Sequence, residues 1–414
     1  MKRIIFLNRY FYPDHSAASQ LLTDLAFHLA TQGIQVCVIT SCQIYDDLHA
    51  ELPLDETVNR VKIIRVRTSR FGRRRLLGRA FDYLTYYFGA AWHLFKVVNQ
   101  QDVIVAKTDP PLISIIAAVI AKSHGAILVN WIQDLFPEVA TVLGVKGIGL
   151  IQSLLRYIRN FSLRIAMYNV VLGNQMAQRL ISEGVMSDKI KVIPNWADGN
   201  QIVPIERDQN KLWYEWDLQN KFVVGYSGNM GRAHEFGTII DAVELLKEIP
   251  NIAFLFIGNG AQRDWIMQEA EKRRLKNVLF KPYQARDQLS LSLSVSDVHL
   301  ISLQPALEGL IVPSKFYGIA AAGRPIIYIG DSEGEIPQIL REGGCGYTVD
   351  IGNAEDLASH IKNMSLKRVE SRNMGRRSRY VFEKQFDKIL AMNEWKTLII
   401  ENVNAVKNTL QHAG

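Results

Sequence analysis

Lys221-Phe-Val-Val-Gly-Tyr-Ser-Gly-Asn-Met-Gly231 is the stretch that decides the fold. A short apolar run meets Gly225, Gly228 and Gly231, and apolar residues at helical spacing follow over 238–247. The pattern returns to a strand at 252–257 and closes on Gly258-Asn259-Gly260. Strand, glycine loop, helix and strand in this order predict parallel strands joined by a crossover helix. The chain opens in the same way, with a buried strand over 3–8 and a loop over 9–19. Leu21, Leu22, Leu25, Ala26 and Leu29 then lie at helical spacing before Gly33, and a strand follows over 36–40. Lys221 therefore restarts the organisation of the first half.

Between these units the alternation continues, with strands expected over 61–66, 102–106, 127–132, 169–172 and 191–193 and helices over 113–123 and 150–165. Pro194-Asn195-Trp196 ends this series, and a polar stretch over 198–211 has few apolar anchors. The boundary is placed there, giving an N-terminal domain over 1–198 and a C-terminal domain over 205–385. A chain of 414 residues exceeds what one core usually supports, in agreement with two domains. Further strands are expected over 277–280, 298–302, 325–328 and 346–349, and no short-period repeat occurs.

Met1-Lys2-Arg3 precedes only a short apolar run before Asn8 and Arg9, which reads as a first strand and not a signal peptide. The apolar stretch 112–121 is too short to span a bilayer. Cys37, Cys42 and Cys345 have no Cys-x-x-Cys partner, so buried, inert thiols in a reduced cytoplasmic setting are expected. The net charge of +7 is concentrated in Arg60, Lys62, Arg65, Arg67, Arg70, Arg73, Arg74, Arg75 and Arg79, with Phe81, Tyr83, Tyr86, Tyr87, Phe88, Trp92 and Phe95 directly after. A basic stretch beside aromatics suits an anionic membrane surface or a lipid diphosphate. A solvated face over core aromatics gives the same pattern. Nucleic acid is not expected as a partner, since no RNA-binding motif accompanies the charges.

Three segments carry chemistry. In Gly225-Tyr-Ser-Gly-Asn-Met-Gly-Arg232, glycines permit close backbone approach and amides near a helix start favour a diphosphate, with Arg232 placed to neutralise a leaving nucleotide. Gly258-Asn259-Gly260 should sit at the same carboxyl edge of the sheet, where open α/β sheets bind ligands. Glu308-Gly-Leu-Ile-Val-Pro-Ser-Lys315 leads through Pro313 into a helix packed with Ala320, Ala321, Ala322 and Gly323. Pro313 suits a helix start, placing Ser314 and Lys315 in the first turn to meet a phosphate while Glu308 accepts hydrogen bonds from sugar hydroxyls.

Together with the Pro194-Asn195 end of the first half, these segments resemble family 4 retaining glycosyltransferases of the GT-B fold over essentially the whole sequence. Within that family, Tyr10-Phe-Tyr-Pro-Asp-His15, Gln133-Asp-Leu-Phe-Pro-Glu138 and Pro313-Ser-Lys315 resemble the subgroup that builds O antigen and capsule, including N-acetyl-L-fucosaminyltransferases and colanic acid fucosyltransferase-like proteins. The fold implied is α/β, with two Rossmann-like domains whose parallel sheets face each other across a cleft. A terminal segment over 386–414, apolar-spaced over 386–398, is implied to pack back on the N-terminal domain.

The resemblance implies a donor site in the second half built from Gly228, Asn229, Gly231, Arg232, Gly258, Glu308, Gly309, Leu310, Ser314 and Lys315. Arg232, Lys315, Glu308 and Asp134 are the candidate catalytic residues, and the acceptor is expected past Asp14, His15 and Asn195. The implied reaction moves a sugar such as N-acetyl-L-fucosamine or another N-acetylated hexosamine from a UDP-linked nucleotide-sugar donor to an undecaprenyl-diphosphate-linked glycan, in the cytoplasm at the inner-membrane surface. Two positions depart from the family pattern: Gly318 stands where many relatives hold ribose with glutamate, and Gln133-Asp134 stands where many have His-Asp. No Asp-x-Asp triplet and no His or Cys cluster with ligand spacing occurs, so no metal or other cofactor is expected. A UDP-N-acetylglucosamine 2-epimerase-like enzyme and a non-catalytic membrane- or nucleic-acid-binding protein remain as alternative readings.

Overall fold

The computed structural model describes residues 3–402 except 46, 48, 49, 73–75 and 146. Arg73, Arg74 and Arg75 of the basic run and the tail from 403 lie outside the described residues. The chain divides into two compact units, Met1–Pro194 with Met392–Gly414, and Asn195–Ala391.

The first unit holds β1 (Ile4–Leu7), β2 (Val36–Ser41), β3 (Asp55–Val58), β4 (Val61–Val66), β5 (Val103–Lys107), β6 (Ile127–Trp131), β7 (Tyr168–Val171) and β8 (Ile190–Val192). Their order is β3-β4-β2-β1-β5-β6-β7-β8, and every pairing is parallel except β3 with β4. β1, β2 and β5 are buried along their whole length, so they read as continuous apolar runs. The antiparallel β3 was not expected from the sequence. It is a half-exposed edge strand of Asp-Glu-Thr-Val, turned into β4 by Asn59 and Arg60, both at positive φ, where a two-residue hairpin usually has Asn-Gly. The helix Leu76–Val97, also outside the expected elements, covers the sheet with Tyr86, Ala90 and Leu94.

The second unit holds β9 (Phe222–Ser227), β10 (Ile252–Ile257), β11 (Val278–Lys281), β12 (Val298–Ser302), β13 (Ile326–Ile329) and β14 (Gly346–Val349). Their order is β11-β10-β9-β12-β13-β14, and all pairings are parallel. Both units are thus Rossmann-like, and the chain is an α/β protein with two parallel-sheet domains. In each, strand order reverses beside the first strand, between β1 and β5 and between β9 and β12. Such a reversal opens a crevice at the carboxyl ends of the strands, where α/β folds bind ligands.

The helix Lys388–Lys396 carries the chain from the second unit into the first, where Trp395 packs on Trp131 with ring centres 4.8 Å apart. On the helix Arg368–Gln385, Arg377 donates to the Gly344 carbonyl and Arg379 to those of Ile202, Ala321 and Gly199. All three cysteines are buried and unpaired, and burial pushes the Cys37 and Cys345 thiols up to about 11. Among the described residues no helix is long and apolar enough to cross a membrane.

Candidate active site

At the carboxyl end of β9 the chain turns through Gly228, at φ +122°, and at the end of β10 through Gly258, at φ +130°. A Cβ on Gly258 would run into the Gly228 carbonyl oxygen, so this close approach of two loops requires glycine. The loops are also tied by hydrogen bonds. Met230 N–H donates to Asn259 O at 2.8 Å, and the Gln262 side chain donates to Gly231 O at 2.7 Å and His234 O at 2.8 Å. Asn229 contributes its carbonyl, which accepts from the Tyr226 hydroxyl at 3.0 Å.

Against this double loop stands Lys315. It begins the short helix Lys315–Ala321, with exposed Ser314 before it, so Pro313 and Ser314 lie just outside the helix and not in its first turn. The Lys315 side chain runs past Gly228: a Cβ there would lie 3.7 Å from Lys315 Cε. Its ammonium donates to the Tyr226 hydroxyl, lies 3.8 Å from the centre of that ring and stands 3.4 Å from Nε2 of His234. His234 Nδ1 faces the Ser302 carbonyl, so Nδ1 carries the hydrogen and Nε2 presents its lone pair to the ammonium. Burial, then the Lys315 charge, push the His234 pKa down to about 3, leaving a neutral ring. Burial also holds the Lys315 pKa well below its ordinary value. Among the described residues no carboxylate pairs with Lys315. A half-buried ammonium whose described neighbours are neutral has an electrostatic demand that a phosphate satisfies.

Arg232 extends from the same loop, exposed to solvent, its carbonyl accepting from the Gln304 side chain at 2.8 Å. Glu308 follows a single helical turn at Pro305–Leu307. Its carboxylate accepts from the Tyr328 hydroxyl and lies against Gly334, where a Cβ would collide with it. Burial raises the Glu308 pKa, opposed by the Tyr328 hydroxyl and the Glu335 amide. Gly309, at φ +69°, and buried Leu310 continue the loop toward Lys315. A Cβ at Gly318 would meet Leu293 Cδ1 at 3.4 Å and Ile202 Cδ1 at 3.9 Å, so this position faces aliphatic neighbours.

The first unit gathers a different set at its own strand reversal. Arg9 N–H donates to Asp109 O at 2.7 Å, and the Arg9 guanidinium lies 5.0 Å from the centre of the Tyr83 ring. Arg79 donates to the Tyr83 hydroxyl at 2.8 Å. Asp134 belongs here, with Oδ1 out of solvent and without a hydrogen-bond partner. Burial pushes its pKa up to about 6, against the Thr108 hydroxyl, which favours the ionised form.

The residues expected on the acceptor side differ in burial and in the unit that holds them. Asp14 is buried, its carboxylate accepting from Ser16 N at 2.8 Å and Tyr45 N at 2.5 Å, so it organises its own loop. His15 is exposed. Asn195 is buried and belongs to the second unit. Tyr226, His234 and Tyr328, which set the poses of Lys315 and Glu308, were missed from the sequence. Tyr226 and Tyr328 look there like ordinary strand aromatics, and a lone histidine after a glycine loop carries no spacing signal.

Two family models cover most of the chain: residues 17–196 match the glycosyl transferase 4-like domain and residues 215–381 match glycosyl transferases group 1. The chain belongs to the group 1 glycosyltransferases and has the GT-B fold. It is 26% identical over 332 residues to the probable glycosyltransferase WbjE of Pseudomonas aeruginosa, covering 80% of this chain and 82% of that one. It is 27% identical over 254 residues to WcaI of Escherichia coli K12, a putative colanic acid biosynthesis glycosyl transferase, covering 60% and 62%. Anabaena HepE, solved with UDP-glucose, superposes with a TM-score of 0.71 at 16% identity, over 97% of this chain and 99% of that one.

Proposed function

We propose that this glycosyltransferase is a retaining enzyme of family 4 that moves a sugar from a UDP-linked donor onto a lipid-linked glycan, in the assembly of a bacterial O antigen, capsule or exopolysaccharide. The observation that carries the donor assignment is the half-buried Lys315 ammonium, which has no carboxylate partner among the described residues, beside the Gly228 and Gly258 loops at the strand reversal of the second unit. The UDP-glucose complex of the similarly folded HepE supports the donor class, and the similarity to WcaI, a putative colanic acid biosynthesis glycosyl transferase, supports the product class. The work is placed in the cytoplasm, at the membrane surface that presents a lipid diphosphate acceptor.

In the proposed reaction the bond from the anomeric carbon to the β-phosphate oxygen breaks, and the acceptor hydroxyl bonds to that carbon on the same face. The leaving phosphate takes the hydroxyl proton. Charge grows on phosphate oxygens, so Lys315 and Arg232 stabilise the transition state electrostatically. Glu308 orients sugar hydroxyls, and Asp134 of the first unit is a further candidate catalytic group. Positive charge from these side chains supports a metal-independent reaction. Among the described residues, no three His, Cys, Asp or Glu side chains are grouped to hold an ion.

The test is incubation with a panel of nucleotide-sugars and a lipid-diphosphate glycan in EDTA, with the product linkage read by NMR. Transfer with retained anomeric configuration is expected. A nucleotide-sugar epimerised without acceptor would replace this reading with the epimerase.

A further inference from the structure

Two helices of the first unit carry apolar residues on the side that faces away from the protein. At 100° per residue, Phe81, Leu84, Phe88, Trp92 and Phe95 of the helix Leu76–Val97 fall within about 80° of one another. This stripe lies opposite the one formed by Tyr86, Ala90 and Leu94, which packs on the sheet. All five are exposed, Phe88 by 75% and Trp92 by 59%.

The helix Ile148–Ile165 is turned inside out. Leu150, Leu154, Tyr157 and Phe161 cluster within about 60° on its outer side. Leu150 is 93% exposed and Tyr157 72%. Its inner side buries Arg159, which pairs with Glu138 at 2.6 Å and with Glu183, and Ser162, which accepts from the Asn130 side chain at 3.2 Å. A water-facing helix places polar residues outward, whereas this one exposes those four large apolar side chains and buries Arg159 and Ser162 beside Leu163.

The helix Ile113–His124 packs between the two, and its Val119 is exposed as well. The three helices form one layer on one face of the sheet, so both apolar stripes look outward on the same side. The only acid in the three is Asp82, which is buried, whereas Arg79, Lys96, Lys122 and Arg164 are exposed. Lys96 Nζ lies 4.2 Å from the centre of the Trp92 ring, an aromatic and a cation side by side. Aromatics and leucines framed by cations, with no exposed acid, match the boundary between acyl chains and anionic headgroups.

We infer that this layer is the membrane-seating face of the enzyme, with the helices Leu76–Val97 and Ile148–Ile165 lying in the plane of an anionic bilayer and sinking their outer stripes below the headgroups. The inference rests on the proposed use of a lipid-linked acceptor, and it names the surface that brings the first unit to that acceptor.

The test is flotation of the full-length protein with vesicles of phosphatidylethanolamine and phosphatidylglycerol, beside vesicles of phosphatidylcholine alone. The wild type should float with the anionic vesicles. Phe88→Asp with Trp92→Asp, and separately Leu154→Asp with Tyr157→Asp, should each weaken partition about tenfold or more. Melting temperature and nucleotide binding should not change, because these side chains are exposed and lie in the first unit. Wild type that stays with the aqueous fraction overturns the inference, as do variants that float as well as wild type. A dimer in light scattering that both variant pairs dissociate would instead assign the face to a second copy of the chain. Wild type that floats with the anionic vesicles but binds no nucleotide would count against the donor reading alone.

Discussion

The Lys315 ammonium lies 3.8 Å from the centre of the Tyr226 ring and donates to its hydroxyl, so the candidate phosphate-binding cation is held by a strand residue 89 positions earlier. The β9 strand and the 315–321 helix together fix where that charge stands, and each prediction concerning the donor follows from this placement.

Replacing Lys315 with methionine should cost about 100-fold in kcat/KM and weaken nucleotide binding, because it removes charge stabilisation from the leaving diphosphate. The same change should raise the melting temperature of the ligand-free protein at neutral pH. Lys315 has a folded pKa below the ordinary 10.5, so the unfolded chain binds the proton more tightly. Wild-type stability from this group therefore rises with pH up to about 10.5, and Lys315→Met should lose that slope. Calorimetric melts over pH check it.

His234 should act as a positioning residue. Gln at this place can keep both a donor toward Ser302 O and an acceptor toward Lys315, whereas Ala keeps neither. His234→Ala should lower kcat/KM about tenfold and His234→Gln should restore most of it. The ring's folded pKa of about 3 lies below the ordinary 6.5, so the stability contributed by the neutral ring is full above 6.5 and is lost as pH falls toward 3. His299, pushed by burial to about 4, acts in the same direction. NMR of the His234 ring should show no titration between pH 5 and 8.

Tyr328→Phe should separate sugar from nucleotide recognition. Loss of the hydroxyl frees the Glu308 carboxylate, so KM for the nucleotide-sugar should rise several-fold while the dissociation constant of the free nucleotide stays unchanged. Titration calorimetry with nucleotide and steady-state kinetics with donor read the two separately.

Asp134 titrates in the unusual direction for a carboxylate. Its folded pKa of about 6 exceeds the ordinary 3.8, so stability is lost as pH rises from 3.8 through 6. Asp134→Asn should therefore raise the melting temperature at pH 8 more than at pH 4. If ionised Asp134 serves transfer, the variant should also lose the acid limb of the pH–rate profile near 6.

Most of the fold was legible because β1, β2, β9 and β10 are short apolar runs closed by glycine or polar turns, a pattern that buried parallel strands require. The edge strand β3 was not, since its alternating polar residues and Asn59-Arg60 turn carry no strong signal. The helix Leu76–Val97 was hidden by being apolar on two sides, which erases the one-face periodicity used to recognise helices. At the candidate site, Gly228, Gly258, Glu308 and Lys315 stood out in the sequence. Tyr226, His234 and Tyr328 did not, because their parts depend on contacts between strands far apart in the chain. The compact units divide directly before Asn195, whereas the composition shift in the sequence begins at 198.

The most direct test of the donor site is a thermal-shift screen of wild type and Lys315→Met against UDP, GDP, ADP and their sugars in EDTA, since a ligand that binds only the folded state raises its melting temperature. A rise with UDP and UDP-sugars in wild type, absent in Lys315→Met, is the predicted result. No rise with any nucleotide, or an equal rise in the variant, would contradict the assignment of Lys315 and its loops as the site that holds the donor.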